Sequence, residues 1–264
     1  MARRDPREHD ALVESNEQPF LEHVIELRAR ILRALLAIAV AFIPTYYFAN
    51  EIYEFVAAPL MAHLPENSTM IATAVASPFL TPFRLAIYAA VFVMMPFILY
   101  QVWAFVAPGL YFREKRFAFP LLVSAVLLFY TGTAFAYFLV FPVVFQFFAQ
   151  VAPSIVTWAT DINQYLDFVL KLFFAFGFVF EVPIAVLLMV WSGLTSADAL
   201  ASKRPYVIVG CFVVGMLLTP PDVLSQLMLA VPTWLLFELG VLFARLVERR
   251  TAESDAEGEA KATD

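Results

Sequence analysis

The run Phe117–Thr160, FAFPLLVSAVLLFYTGTAFAYFLVFPVVFQFFAQVAPSIVTWAT, holds no charged residue over its whole length. A hydrocarbon core ~30 Å thick is crossed by ~20 apolar residues in a helix, so this run exceeds one span. Pro142 and Pro153 mark where its helix is expected to end, with a polar-leaning loop after it. Backbone groups in lipid must bond within the chain, and an open sheet edge would leave them unpaired; the spans are therefore helical. The composition points the same way. Of 264 residues, 62% are apolar and 15% charged, against ~45–50% and ~25% in soluble domains. A single soluble core of this length could not hide so much apolar surface. The mean hydropathy of +0.77 agrees.

Working outward, uncharged stretches recur at Ala34–Asn50 and Leu85–Phe112, and again from Tyr165 to Trp191, interrupted by Lys171 and Glu181. Pro205–Pro221 and Val223–Phe237 are separated only by Asp222 and read as a tight hairpin turning at Thr219-Pro220-Pro221-Asp222. Six helical spans follow. The fifth, at ~16 residues and 1.5 Å per residue, reaches only ~24 Å, and the sixth is expected to be similarly short before Glu238. Kinks are expected at Pro96, Pro183 and Pro232, inside apolar runs. Unequal, bent helices predict a concave all-α bundle.

Lys and Arg fix the expected orientation. Arg3, Arg4, Arg7, Arg28, Arg30 and Arg33 precede the first span, and Arg113, Lys115 and Arg116 lie in the 2–3 loop. Lys203 and Arg204 lie in the 4–5 loop, and Arg245, Arg249, Arg250 and Lys261 follow the last span. The opposite loops, about 51–83, 149–164 and 219–222, hold none of these. Arg84 and Lys171 sit near outer helix ends, where long side chains snorkel to the interface. Both termini are thus expected in the cytoplasm. Met1–Asn16 is polar and lacks the apolar region of a cleavable signal. Residues 1–18 and the acidic tail 246–264 are expected to be disordered, flanking one membrane domain at 19–245.

Several chemistries are excluded. The lone Cys211 forms no intrachain disulfide and no Cys-based metal site. His9, His23 and His63 all lie outside the long apolar runs, which removes an H-E-x-x-H metalloprotease and a Ser–His dyad in the bilayer. No catalytic residue, metal, cofactor or nucleic-acid partner is expected.

Glu181 is the strongest signal in the residues themselves. It lies midway along the fourth span, where an acid costs ~2.5–3.5 kcal/mol to insert, so it should face an interior or a wet cavity. Lys171, ~15 Å away along the helix, is too far to pair with it. Glu26 lies on the polar face of an amphipathic segment, Pro19–Arg33, whose apolar stripe is Phe20, Val24, Leu27 and Ile31. Its spacing favours a local i,i+4 pair with Arg30; the functional alternative is a carboxylate that grips an external guanidinium with two prongs. Glu114 in the 2–3 loop is the other acid near the cytoplasmic mouths of the first three spans. Asp161 and Asp222 read as helix N-caps, with Gln226 and Thr219 forming a polar patch beside Asp222.

Taken together, these segments resemble the TatC family, the polytopic subunit of the twin-arginine protein translocase. The likeness runs over about 19–245. It begins with Phe20-Leu21-Glu22-His23-Val24-Ile25-Glu26-Leu27-Arg28 and continues through Phe105-Val106-Ala107-Pro108-Gly109-Leu110-Tyr111, Glu114-Lys115-Arg116 and Gly132 with Ala134-Phe135-Ala136-Tyr137-Phe138. Phe176-Gly177, Phe180-Glu181-Val182-Pro183, Arg204-Pro205-Tyr206, Leu218-Thr219-Pro220-Pro221-Asp222 and Ser225-Gln226 complete it. The resemblance implies a receptor in the cell inner membrane rather than an enzyme. It implies that Glu26 and Glu114 bind the arginine pair in the signal peptide of a folded cargo, and that Glu181 faces a cytoplasm-open cavity. It also implies that TatB and TatA pack near Met216, Thr219 and Gln226 in an oligomeric complex, with transport driven by the proton-motive force. The segment Ser77-Pro78-Phe79-Leu80-Thr81-Pro82 lacks a glutamate common in relatives and is assigned no site.

The competing class is a proton-coupled secondary transporter with Glu181 as carrier. It predicts internal repeats and several midplane polar groups; the chain has one acid there and no repeat. A structural scaffold, the third class, gives Glu181 no purpose. The charge asymmetry predicts that a cysteine at Asn67 reacts with an impermeant thiol reagent from outside, while one at Lys203 does not. Reversed labelling would overturn the orientation.

Overall fold

A computed structural model describes residues 6–62, 70–106, 115–151, 159–219 and 222–262. Asn67, Pro108, Gly109, Glu114, Pro153 and the Pro220-Pro221 turn lie outside them. The described chain is helical throughout, with a single isolated parallel bridge between Ile71 and Asp161. In order the helices are α1 (Pro6–Tyr47), α2 (Ala49–Met61), α3 (Ser77–Val93), α4 (Met95–Val106), α5 (Lys115–Phe135), α6 (Phe141–Val151), α7 (Ile162–Val179), α8 (Val182–Trp191), α9 (Ala197–Ser202), α10 (Arg204–Leu218) and α11 (Val223–Ala262).

Among the described residues, three helical stretches are long and apolar enough to cross a membrane: Phe119–Val151, Ile162–Trp191 and Val223–Glu248. Two more are bent pairs, α1 with α2 at 79° and α3 with α4 at 53°. The 15-residue α10 is a shorter apolar helix, ~22 Å long. Large apolar side chains face outward along these stretches, among them Leu36, Ile43, Phe138 and Leu217. A soluble protein would bury them; a bilayer covers them.

Proline sets the breaks. Pro96 has no N–H for the carbonyl of Phe92, and α3 gives way to α4 there. The hydroxyl of Tyr130 donates to that carbonyl at 2.9 Å. Pro59 leaves the carbonyl of Phe55 without its helical donor in the same way, and Tyr137 donates to it at 2.8 Å. Tyr165 adds a bond to the carbonyl of Val56 at 2.7 Å. Phenol hydroxyls thus supply donors in surroundings where water is scarce.

Four elements depart from the sequence reading. Residues 51–61, expected within an outer loop, belong to α2, because Val56, Ala57 and Leu60 have a buried face to pack into. The second span begins at Ser77 rather than Leu85: Arg84 lies within α3 and reaches Asp167 of α7 at 3.7 Å. Pro142 does not end its helix. A π-helical turn, Ala136–Val140, absorbs the disturbance, and α6 runs on to Val151. The last span is not short, since Glu238 is matched by Arg204 through Nε–Oε1 (2.6 Å) and Nη2–Oε2 (2.8 Å), and the helix continues past it.

Helices α5 and α7 touch at two glycines. A Cβ on Gly132 would stand 2.4 Å from the carbonyl oxygen of Phe176, and one on Gly177 would stand 2.4 Å from the Phe129 ring. The first of these neighbours is helix backbone and the second, the Phe129 ring, is fully buried, so neither has room to retreat. Gly132→Ala should therefore destabilise the protein by ~1–3 kcal/mol, read as a lower melting temperature in detergent and a lower membrane level. Gly210→Ala, where a Cβ meets nothing within 4 Å, should be neutral. Equal behaviour of the two would contradict the α5–α7 packing.

Candidate functional site

The acids and amides singled out above fall at three places. The first is the contact between α1 and α4. Glu26 Oε1 accepts from Arg30 Nε at 3.0 Å and from Nη2 at 2.5 Å, the i,i+4 pair that spacing suggested. Arg30 reaches further: Nη2 donates to the carbonyl of Ala104 at 2.9 Å and Nη1 to Oε1 of buried Gln101 at 3.5 Å. The polar face of α1 is thus turned onto α4, while Val24, Leu27 and Ile31 point outward. That inversion suits an amphipathic helix meeting a bilayer, where the outside is the apolar phase. Glu114 lies outside the described residues.

The second place is the junction of α7 and α8. Val179 closes α7 and Val182 opens α8, with Pro183 in its first turn. Glu181 stands between them, half-buried, and its Oε1 is enclosed with no hydrogen-bond partner among the described residues. Such a group calls for a donor that the described residues do not supply. Pro183 is held from the far side by α11, where its Cα would lie 2.9 Å from a Cβ on Gly240. The break is therefore fixed in place.

The third is the α10–α11 hairpin. Asp222 caps α11, accepting from Ser225 N at 2.7 Å. Thr219 is buried and donates to Gly215 O at 2.9 Å, and Gln226 Nε2 donates to Phe212 O at 3.1 Å. Met216 lies on the exposed side of the same turn. Thr219 and Gln226 thus each bond a backbone carbonyl of α10, at Gly215 and Phe212.

Sequence reasoning missed a polar cluster at the other end of the bundle. Asp161 caps α7 through Asn163 N (2.9 Å) and Gln164 N (3.1 Å), as expected, but Oδ2 also accepts from Thr73 N (2.9 Å) and Thr73 Oγ1 (2.6 Å). The Thr73 bonds first, and the helix amides after them, hold its carboxyl down to about 2. Thr81 Oγ1 donates to Asn163 Oδ1 at 2.5 Å, and Asn163 Nδ2 donates to Ser77. The segment assigned no site is thus a clasp between α3 and α7. The role of Gln101 was also missed, although it is the only amide in the uncharged stretch Leu85–Phe112.

Among the described residues, no three His, Cys, Asp or Glu side chains gather to hold a metal ion. Bent apolar helices with charged and polar groups concentrated at particular ends and breaks define a multi-pass membrane protein. Comparison with known proteins narrows this class. A family model described as the Sec-independent protein translocase protein (TatC) matches residues 22–232. The chain is 57% identical over 242 residues to the Sec-independent protein translocase protein TatC of Azotobacter chroococcum, covering 92% of this chain and 95% of that one. It is 58% identical over 228 residues to that of Escherichia coli, covering 86% and 88%. A crystal structure titled as the twin arginine translocase receptor TatC superposes with a TM-score of 0.76 at 35% identity, covering 85% of this chain and 98% of its own. The chain belongs to the TatC family. It is a component of the Sec-independent translocase, a non-enzymatic family.

The enclosed Oε1 separates two roles for Glu181. Glu181→Leu removes an unsatisfied oxygen and should leave the membrane level intact, yet export of cargo should fall several-fold below that of Glu181→Gln, whose amide keeps hydrogen-bonding capacity. Equal export by the two variants would mean that the polar group has no functional part.

Proposed function

We propose that this chain is the signal-peptide receptor of the twin-arginine translocase in the cell inner membrane, with six spans and both termini in the cytoplasm. Glu26 and Glu114 read the arginine pair of a folded cargo's signal peptide. Glu181 supplies a polar point at the break in the fourth span. The hairpin surface at Met216, Thr219 and Gln226 receives TatB and TatA in an oligomeric complex, and the proton-motive force drives export. The observation that carries this reading is the chemistry at Glu26, a half-exposed carboxylate already engaged with a guanidinium at the α1–α4 contact. An arginine presents a planar fork that a carboxylate meets with parallel charge-assisted bonds, whereas lysine is a point charge. Two adjacent arginines call for two anions.

Losing one anion leaves a guanidinium partly unpaired, at ~1.5–3 kcal/mol for a charged hydrogen bond, or about ten- to a hundredfold in affinity. Glu26→Ala and Glu114→Ala should each weaken an Arg-Arg signal peptide by that factor without unfolding the chain. A Lys-Lys peptide should already bind poorly and lose less. Signal-peptide affinity across this cycle, in detergent at fixed salt, is the measurement. Equal losses for both peptides would place the arginine-reading site elsewhere.

A further inference from the structure

Glu26 is not a vacant carboxylate. Both bonds from Arg30 converge on Oε1, and Oε2 has no partner among the described residues. The pair is unequally exposed, with the Arg30 side chain at 17% and Glu26 at 37%. Arg30 is also held from the other side. Ala104 lies in the last turn of α4, where carbonyls lack helical donors and the helix dipole favours a cation. Gln101, one turn earlier, offers its Oε1. Arg30 therefore keeps acceptors on α4 even if it gives up Glu26.

We infer that Arg30 is a resident guanidinium on the Glu26 carboxylate, one that an incoming guanidinium displaces and an incoming ammonium does not, and that it sets the preference of this site for arginine over lysine. This rests on the reading of Glu26 as a ligand-binding group. A ligand guanidinium can take the open Oε2 with one N–H and contest Oε1 with another, while Arg30 falls back on Ala104 and Gln101. A ligand ammonium has no fork. It takes Oε2 alone and then stands beside the Arg30 charge without displacing it. The resident cation thus penalises lysine more than arginine.

The test uses the full chain in detergent with labelled signal peptides carrying Arg-Arg or Lys-Lys. Arg30→Gln removes the resident charge, and Lys-Lys affinity should rise about tenfold, the weight of one charge-assisted hydrogen bond. Arg-Arg affinity should rise by less than about threefold, so that the ratio between the peptides shrinks. Arg33→Gln removes the same charge one turn away; it should move both peptides together, with an effect that fades in high salt. Arg30→Lys, a point donor that cannot bridge Glu26 and Ala104 together, should give an intermediate ratio and serves alone if Arg30→Gln does not fold. An unchanged ratio in the Arg30 variants, or weaker binding of both peptides, would overturn the inference and leave Arg30 a brace between α1 and α4. Failure of the underlying reading looks different: Glu26→Ala would then leave both affinities untouched in the otherwise unaltered chain.

Discussion

A charge or an unpaired backbone group in hydrocarbon costs several kcal/mol, and that penalty arranges this molecule. It clears charge from the long apolar runs and matches most of what remains near them. Arg204 takes Glu238 with two prongs, Arg84 reaches Asp167, and Arg245 reaches Asp198 at 2.9 Å. It also explains the tyrosines. Where Pro96 and Pro59 withhold an N–H, Tyr130 and Tyr137 bring a hydroxyl to the freed carbonyl. The 53° bend at Pro96 becomes tolerable because the carbonyl it frees is taken up. Enclosed polar atoms that no described group satisfies remain at Glu181 Oε1, Asp222 Oδ2, Ser225 Oγ and Trp234 Nε1.

The same constraint shapes recognition. A receptor for a cationic segment needs anions that are accessible yet held still, and the ends of the apolar helices are where such anions are inexpensive. On the proposed reading, helix α1 meets this need: its polar face is turned inward onto α4 and its apolar face outward. Glu26 is then fixed by Arg30, and Arg30 by the last turn of α4. The segment carrying Glu114 follows directly from that turn in sequence. On the proposed reading, the two arginine-reading acids are Glu26, held to that helix end through Arg30, and Glu114, which follows Ala104 in sequence.

Much of the fold is legible in sequence because single residues decide it. Pro96 and Pro183 locate breaks, Asp161 and Asp222 locate helix starts, and the lone Asp222 between two apolar runs locates the hairpin. What escaped depends on residues far apart in the chain. Residues 51–61 read as a loop because two acids, Glu51 and Glu54, obscure an apolar face visible only once α3 and α6 cover it. Glu238 read as a span's end because its partner, Arg204, is 34 residues away. Pro142 read as a stop because a π-helical turn leaves no composition signature. At the site, the i,i+4 spacing revealed Glu26–Arg30, but the reach of Arg30 to Ala104, 74 residues on, has no local mark.

The central claim is that the arginine pair is read at the α1–α4 contact. The most direct measurement is photo-crosslinking in native membranes, with a benzophenone amino acid placed beside the arginine pair of a signal peptide and the adducts mapped by mass spectrometry. The account predicts adducts within the Glu26–Arg30 turn of α1 and the segment that follows Ala104. Adducts confined to the α7–α8 break at Glu181, or to the α10–α11 hairpin, would contradict it.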